Sequence, residues 1–103
     1  MRIELLHIDE CPNTADAQAR LESALAALGH SGIPVNTRLL ASPSDIAGTA
    51  FAGSPTITID GVDIFPAGAP ASDLACRIYA TPSGLAGVPT LDQITEALKN
   101  HGL

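Results

Sequence analysis

The stretch Ile57-Thr58-Ile59-Asp60-Gly61-Val62-Asp63-Ile64 most constrains what this chain can fold into. An Asp-Gly pair between alternating apolar residues is the signature of a two-residue β-hairpin. The hairpin adds two mutually antiparallel strands to whatever sheet the preceding residues build. Those residues read as strand, helix, strand, helix. Arg2 to Ile8 is a nearly continuous apolar run, the pattern of a strand covered on both faces. Pro34 to Ala41 reads as the second strand.

The intervening helix, Thr14 to Leu28, carries Ala17, Leu21, Ala24, Leu25 and Leu28 on one face. Pro12 suits its first turn, Asp16 and Arg20 stand at pairing distance i, i+4, and Gly29 suits a left-handed cap. A strand, a helix and a strand in this order make a βαβ unit with parallel strands. Ser42-Pro43-Ser44-Asp45 has the order of a helix start, predicting a short helix to about Phe51, weakened by Gly48. Gly53-Ser54-Pro55-Thr56 is a turn. Pro66 to Pro89 is a long segment punctuated by Pro and Gly, with a short helix expected near Ser72 to Arg77. Thr90 to His101 is the last helix, with Thr90 and Gln93 as a capping box and Gly102 beyond its end.

The expected architecture is a single α/β domain over residues 1–103, in the order β-α-β-α-β-β-α, with a four-stranded mixed sheet flanked by helices. A ferredoxin-like arrangement ends on a strand and is disfavoured by the capped terminal helix.

Composition narrows the function. The 103 residues carry a net charge of −6, which disfavours nucleic acid as a partner. No basic amphipathic stretch or long apolar run suits a membrane. The N-terminus shows no signal-peptide pattern, so a cytoplasmic location is expected, where thiols are usually reduced. The two cysteines, Cys11 and Cys76, are too few for a disulfide scaffold. No zinc spacing, phosphate-binding glycine loop or Ser/His/Asp set stands out, and His7, His30 and His101 are not spaced as a metal set. No cofactor is expected. No pattern specifies an oligomeric state.

Cys11 stands where the first helix begins. Unsatisfied N–H groups and the positive end of the helix dipole favour a thiolate there. Thr14, one turn on, can donate a hydrogen bond to the sulfur. Asp9 and Glu10 oppose ionisation. The balance predicts a modestly lowered pKa. The alternative is that Cys11 is a small apolar plug.

The element order, with Cys11-Pro12-Asn13-Thr14 after the first strand and Ser54-Pro55-Thr56 before the hairpin, resembles the thioredoxin superfamily. The Gly-Ser-Pro-Thr loop, the Asp-Gly hairpin and Cys76-Arg77-x-Tyr79 are also similar to a group of short thioredoxin-like bacterial proteins, some labelled as organomercurial lyases. The resemblance implies that Cys11 is an attacking thiol and that Pro55 is cis and faces it. A cis bond is expected to turn the Ser54 backbone toward Cys11, free to pair with an extended peptide or a small disulfide. Thr14 stands where the family has its second cysteine, so this chain resembles monothiol variants.

In that fold the segment after Phe65 emerges at the Cys11 end of the sheet, which makes Cys76 a candidate resolving thiol. An inert Cys76 packed beneath the loop is the alternative. Arg77 and Tyr79 can orient an anionic or aromatic group, or tie the loop down by hydrogen bonds and packing; the second reading is preferred. Three functions remain: a thiol-disulfide oxidoreductase acting on a protein or small-molecule disulfide, a non-catalytic binding module, and a handler of soft metals or organomercurials using Cys11 and Cys76.

Overall fold

The computed structural model describes residues 1–65 and 74–103. The first strand, β1 (Ile3–His7), leads into helix α1 (Thr14–Ala27), and strand β2 (Val35–Leu39) returns parallel to β1 with Ile3 opposite Val35 and His7 opposite Leu39. The βαβ unit is therefore present. Strand β3 (Thr56–Ile59) runs antiparallel to β1, with Leu6 opposite Thr56, and β4 (Val62–Asp63) pairs antiparallel with β3. The sheet order is β2-β1-β3-β4, a four-stranded mixed sheet. Asp60 and Gly61 both have positive φ, 51° and 83°, as the tight turn between β3 and β4 requires.

The pleat sends alternate side chains to opposite faces. On one face Ile3, Leu5, Ile57 and Ile59 pack with Ala17, Leu21, Ala24 and Leu25 of α1. Helix α3 (Leu91–Asn100) contributes Ile94, Ala97 and Leu98 to the same core. On the other face Leu6, Leu40, Ile46 and Phe51 form a smaller cluster. Every residue of β3 is buried, so this strand is the sheet's centre of packing.

The helix signals hold where they are local. The Thr90 side chain accepts from the Gln93 amide at 3.1 Å, and Gln93 accepts from the Thr90 amide at 2.9 Å. Gly29, just beyond α1, has φ +81°. Other expectations are corrected. Pro12 lies before the N-cap residue Asn13, outside the first helical turn. Arg20 does not pair with Asp16. It donates to the Pro89 carbonyl at 2.8 Å and ties α1 to the loop before α3. Helix α2 (Pro43–Ile46) is a single turn and stops far short of Phe51. Its capping residue Asp45 accepts from the Ala41 and Ser42 amides, and Gly48 leaves the helical region with φ +78°.

The segment before α3 departs most from expectation. The short helix expected near Ser72 to Arg77 falls partly outside the described residues. Its remainder is an extended stretch paired to Ser54 through Cys76. A second hairpin follows, β5 (Tyr79–Thr81) with β6 (Gly84–Ala86), antiparallel and separate from the main sheet. Among the described residues the order is thus β-α-β-α-β-β-β-β-α. Among the described residues no helix is long and apolar enough to cross a membrane.

Candidate functional site

Cys11 lies in the turn between β1 and α1, at the end of the sheet where β3 begins. Its carbonyl accepts from the Thr14 amide at 3.4 Å, closing the turn in front of α1. Beside it, the Ser54–Pro55 peptide bond is cis. Ser54 is completely buried. Its Oγ accepts from the Ile8 amide at 3.1 Å, which leaves the single hydroxyl proton free to donate elsewhere. Cys11 is near enough for this hydroxyl to hold its thiol pKa down.

Burial of Cys11 pushes its thiol pKa up. Hydrogen bonds from the Ser54 hydroxyl, the Thr14 hydroxyl and the Asn13 and Thr14 amides outweigh burial, and the thiol is held below its ordinary value. Asp9 and Glu10 are not among the groups that shift it. The Asp9 carboxylate is taken by the Glu10 amide at 3.0 Å. The Thr14 hydroxyl is buried and has no other hydrogen-bond partner, so the Cys11 thiolate is the acceptor open to it. Thr14→Val keeps the shape and removes the donor. The alkylation midpoint of Cys11 in that variant should move to higher pH.

Cys76 reaches the same place by another route. The Ser54 amide donates to the Ala75 carbonyl at 2.8 Å, and the Arg77 amide donates to the Ser54 carbonyl at 2.9 Å. Cys76 therefore sits beside Ser54 in a parallel bridge. Residues paired in this way project their side chains to the same face of the ladder. Ser54 thus neighbours both thiols, with its hydroxyl beside Cys11 and its backbone laddered with the segment that carries Cys76. Both thiols are free, Cys11 half-buried and Cys76 exposed. The expectation that Cys76 emerges at this end of the sheet agrees with this geometry. The expectation of a free Ser54 backbone is corrected: both of its hydrogen-bonding groups are consumed by residues 75–77.

Arg77 and Tyr79 hold that segment down. Arg77 is 6% exposed. Its guanidinium pairs with Asp63 at 2.9 Å, donates to the Phe65 carbonyl at 2.5 Å and lies 4.6 Å from the centre of the Tyr79 ring. The Tyr79 hydroxyl donates to the Pro55 carbonyl, and its ring meets Phe65 edge-on at 5.4 Å. Burial pushes the Tyr79 pKa well up, so it remains a neutral donor. Burial also raises the Asp63 pKa, against the pull of the Phe65 amide and of Arg77. These contacts match the loop-tying role.

Gly53 completes the assembly. It has φ +116°, and a Cβ built there falls 2.6 Å from the Arg77 Cβ. Thr56 braces the loop from inside, donating to the Gly53 carbonyl at 2.5 Å and accepting from the Ala52 amide at 3.1 Å.

Sequence reasoning missed the Ser54 hydroxyl as an influence on the Cys11 thiol and Asp63 as the anchor of Arg77. Among the described residues no group of three or more His, Cys, Asp and Glu side chains is placed to hold a metal ion. The chain matches no family model, no curated protein and no solved structure.

Proposed function

We propose that this chain is a thioredoxin-like thiol-disulfide oxidoreductase with Cys11 as nucleophile and Cys76 as resolving thiol. The observation that carries this reading is the Ser54–Cys76 bridge, because Ser54 neighbours both cysteines: its hydroxyl lies beside Cys11, and its backbone is paired, through Ala75 and Arg77, with the segment that carries Cys76. The sheet order β2-β1-β3-β4, with Pro55 just before β3 at the Cys11 end of the sheet, supports the thioredoxin-like description of the fold.

The chemistry runs in two exchanges. The Cys11 thiolate attacks one sulfur of a disulfide R–S–S–R′. The bond from Cys11 to that sulfur forms, the substrate S–S bond breaks, and R′S⁻ leaves and takes a proton from water. The Cys76 thiolate then attacks the Cys11 sulfur, giving a Cys11–Cys76 disulfide and releasing RS⁻. The substrate gains two electrons and the protein loses two. A low-molecular-weight thiol, used twice, restores the reduced pair. Thr14 cannot resolve the mixed disulfide, so the second thiol has to come from outside the Cys11 turn.

Mild oxidation followed by peptide mapping should find a Cys11–Cys76 disulfide, while Cys76→Ser should accumulate the mixed disulfide on Cys11. Two thiols left free after oxidation contradict the resolving role. Full biological activity in Cys11→Ser contradicts the oxidoreductase reading and favours a binding module.

A further inference from the structure

We infer that the Cys11 site takes small disulfides and turns away extended peptides, because the chain's own Ala75–Arg77 segment occupies the backbone edge beside the sulfur. This deepens the reading of Cys11 as a nucleophile and rests on it. An extended peptide binds next to a sheet by pairing with free backbone N–H and C=O groups. Beside Cys11 those groups belong to Ser54, and each already has a partner: Ala75 accepts from one and Arg77 donates to the other. A peptide can take them only by displacing the segment.

Displacement is costly, since three side-chain anchors hold it. Arg77 is buried and paired with Asp63. Its Cβ lies so near the Gly53 backbone that no side chain fits between them. The Tyr79 hydroxyl is bound to the Pro55 carbonyl. In a parallel bridge of this pattern Cys76 turns its own N–H and C=O outward. A peptide pairing there lies one strand spacing, about 4.8 Å, further from the Cys11 sulfur. A small disulfide needs neither edge. It needs only an in-line approach to Cys11, which is half-buried and not sealed.

The step tested is the first exchange: Cys11–S–S–R forms, the probe's S–S bond breaks, and one thiolate leaves. The test uses Cys76→Ser, so that no second exchange follows, and two neutral probes with 2-mercaptoethanol as leaving group. One is 2-hydroxyethyl disulfide, and the other is a mixed disulfide of 2-mercaptoethanol with a cysteine-containing hexapeptide. Mixed-disulfide formation on Cys11 is followed by acid quench and mass spectrometry. Each rate constant is divided by that of the same probe with an unstructured cysteine peptide.

The normalised rate should be higher for 2-hydroxyethyl disulfide. Adding Asp63→Asn, which loosens the Arg77 anchor, should raise the peptide rate by about tenfold, the worth of freeing the Ser54 hydrogen bonds. The 2-hydroxyethyl disulfide rate should not change. A peptide rate equal to or above the small-disulfide rate before loosening overturns the inference and leaves the nucleophile standing. Failure of Cys11 to react with either probe overturns both.

Discussion

Arg77→Met should destabilise the protein by about 3 kcal/mol, seen as a lower urea midpoint with little change in slope. The substitution keeps an apolar stem and removes the guanidinium. Asp63 is then left largely buried without its partner, and removing one member of a buried pair is the costly case, at about 3–5 kcal/mol. The lower end is expected because the Asp63 side chain is 15% exposed and its pKa is already raised by burial, so it can take up a proton at modest cost. The Phe65 carbonyl and the Tyr79 ring lose contacts as well. Arg77→Met combined with Asp63→Leu should recover part of the loss, since the stranded carboxylate is gone. A change below about 1 kcal/mol, the range of an exposed ion pair, would mean that the guanidinium does not anchor the segment.

Gly53→Ala should cost at least about 2 kcal/mol, from two separate penalties. The backbone at φ +116° lies outside the region open to L side chains, a strain of about 1–3 kcal/mol. The new methyl also meets the Cβ and backbone of Arg77 at 2.6 to 3.0 Å, and neither is a flexible side-chain end. Relief requires the 75–77 segment to move off Ser54. Denaturant unfolding measures the first consequence, and amide hydrogen exchange at Arg77, which donates to the Ser54 carbonyl, measures the second. Gly32 is a useful control, because a Cβ there meets nothing within 4 Å and its φ is not positive. Gly32→Ala should be near neutral.

Much of the fold is legible in the sequence because its signals are local. Asp60-Gly61 sets a turn, Ala17 to Leu25 set a helix face, and Thr90 with Gln93 caps α3 within four residues of chain. The misreadings fall where a distant partner wins. Arg20 has an acid four residues away and instead donates to the Pro89 carbonyl across the chain. The Leu74–Arg77 stretch has no strong periodicity, and the Ser54 backbone fixes it as extended. The β5–β6 hairpin has three-residue strands around Pro82 and Ser83, too short for alternation to show within a Pro- and Gly-rich stretch.

The candidate site divides in the same way. Cys11 and Thr14 are readable from their place before a helix. That Cys76 comes to the Cys11 end follows from counting strand directions. Its pairing with Ser54 does not, because that depends on the buried contacts of Arg77 and on the absence of a side chain at Gly53. The consequence runs against the first expectation: the Ser54 backbone is closed by the chain itself, and the residue that closes it carries the second thiol.

The central claim is that Cys11 is a thiolate-forming nucleophile supported by Ser54, Thr14 and the amides at the start of α1. The most direct measurement is the rate of Cys11 alkylation by iodoacetamide against pH, in Cys76→Ser so that a single thiol reports. The account predicts a midpoint below the ordinary cysteine value of about 8.5. It also predicts that the rate at neutral pH exceeds that of the urea-unfolded chain, in which those hydrogen bonds are lost. A midpoint at or above about 8.5, or faster alkylation in the unfolded chain at neutral pH, would contradict it.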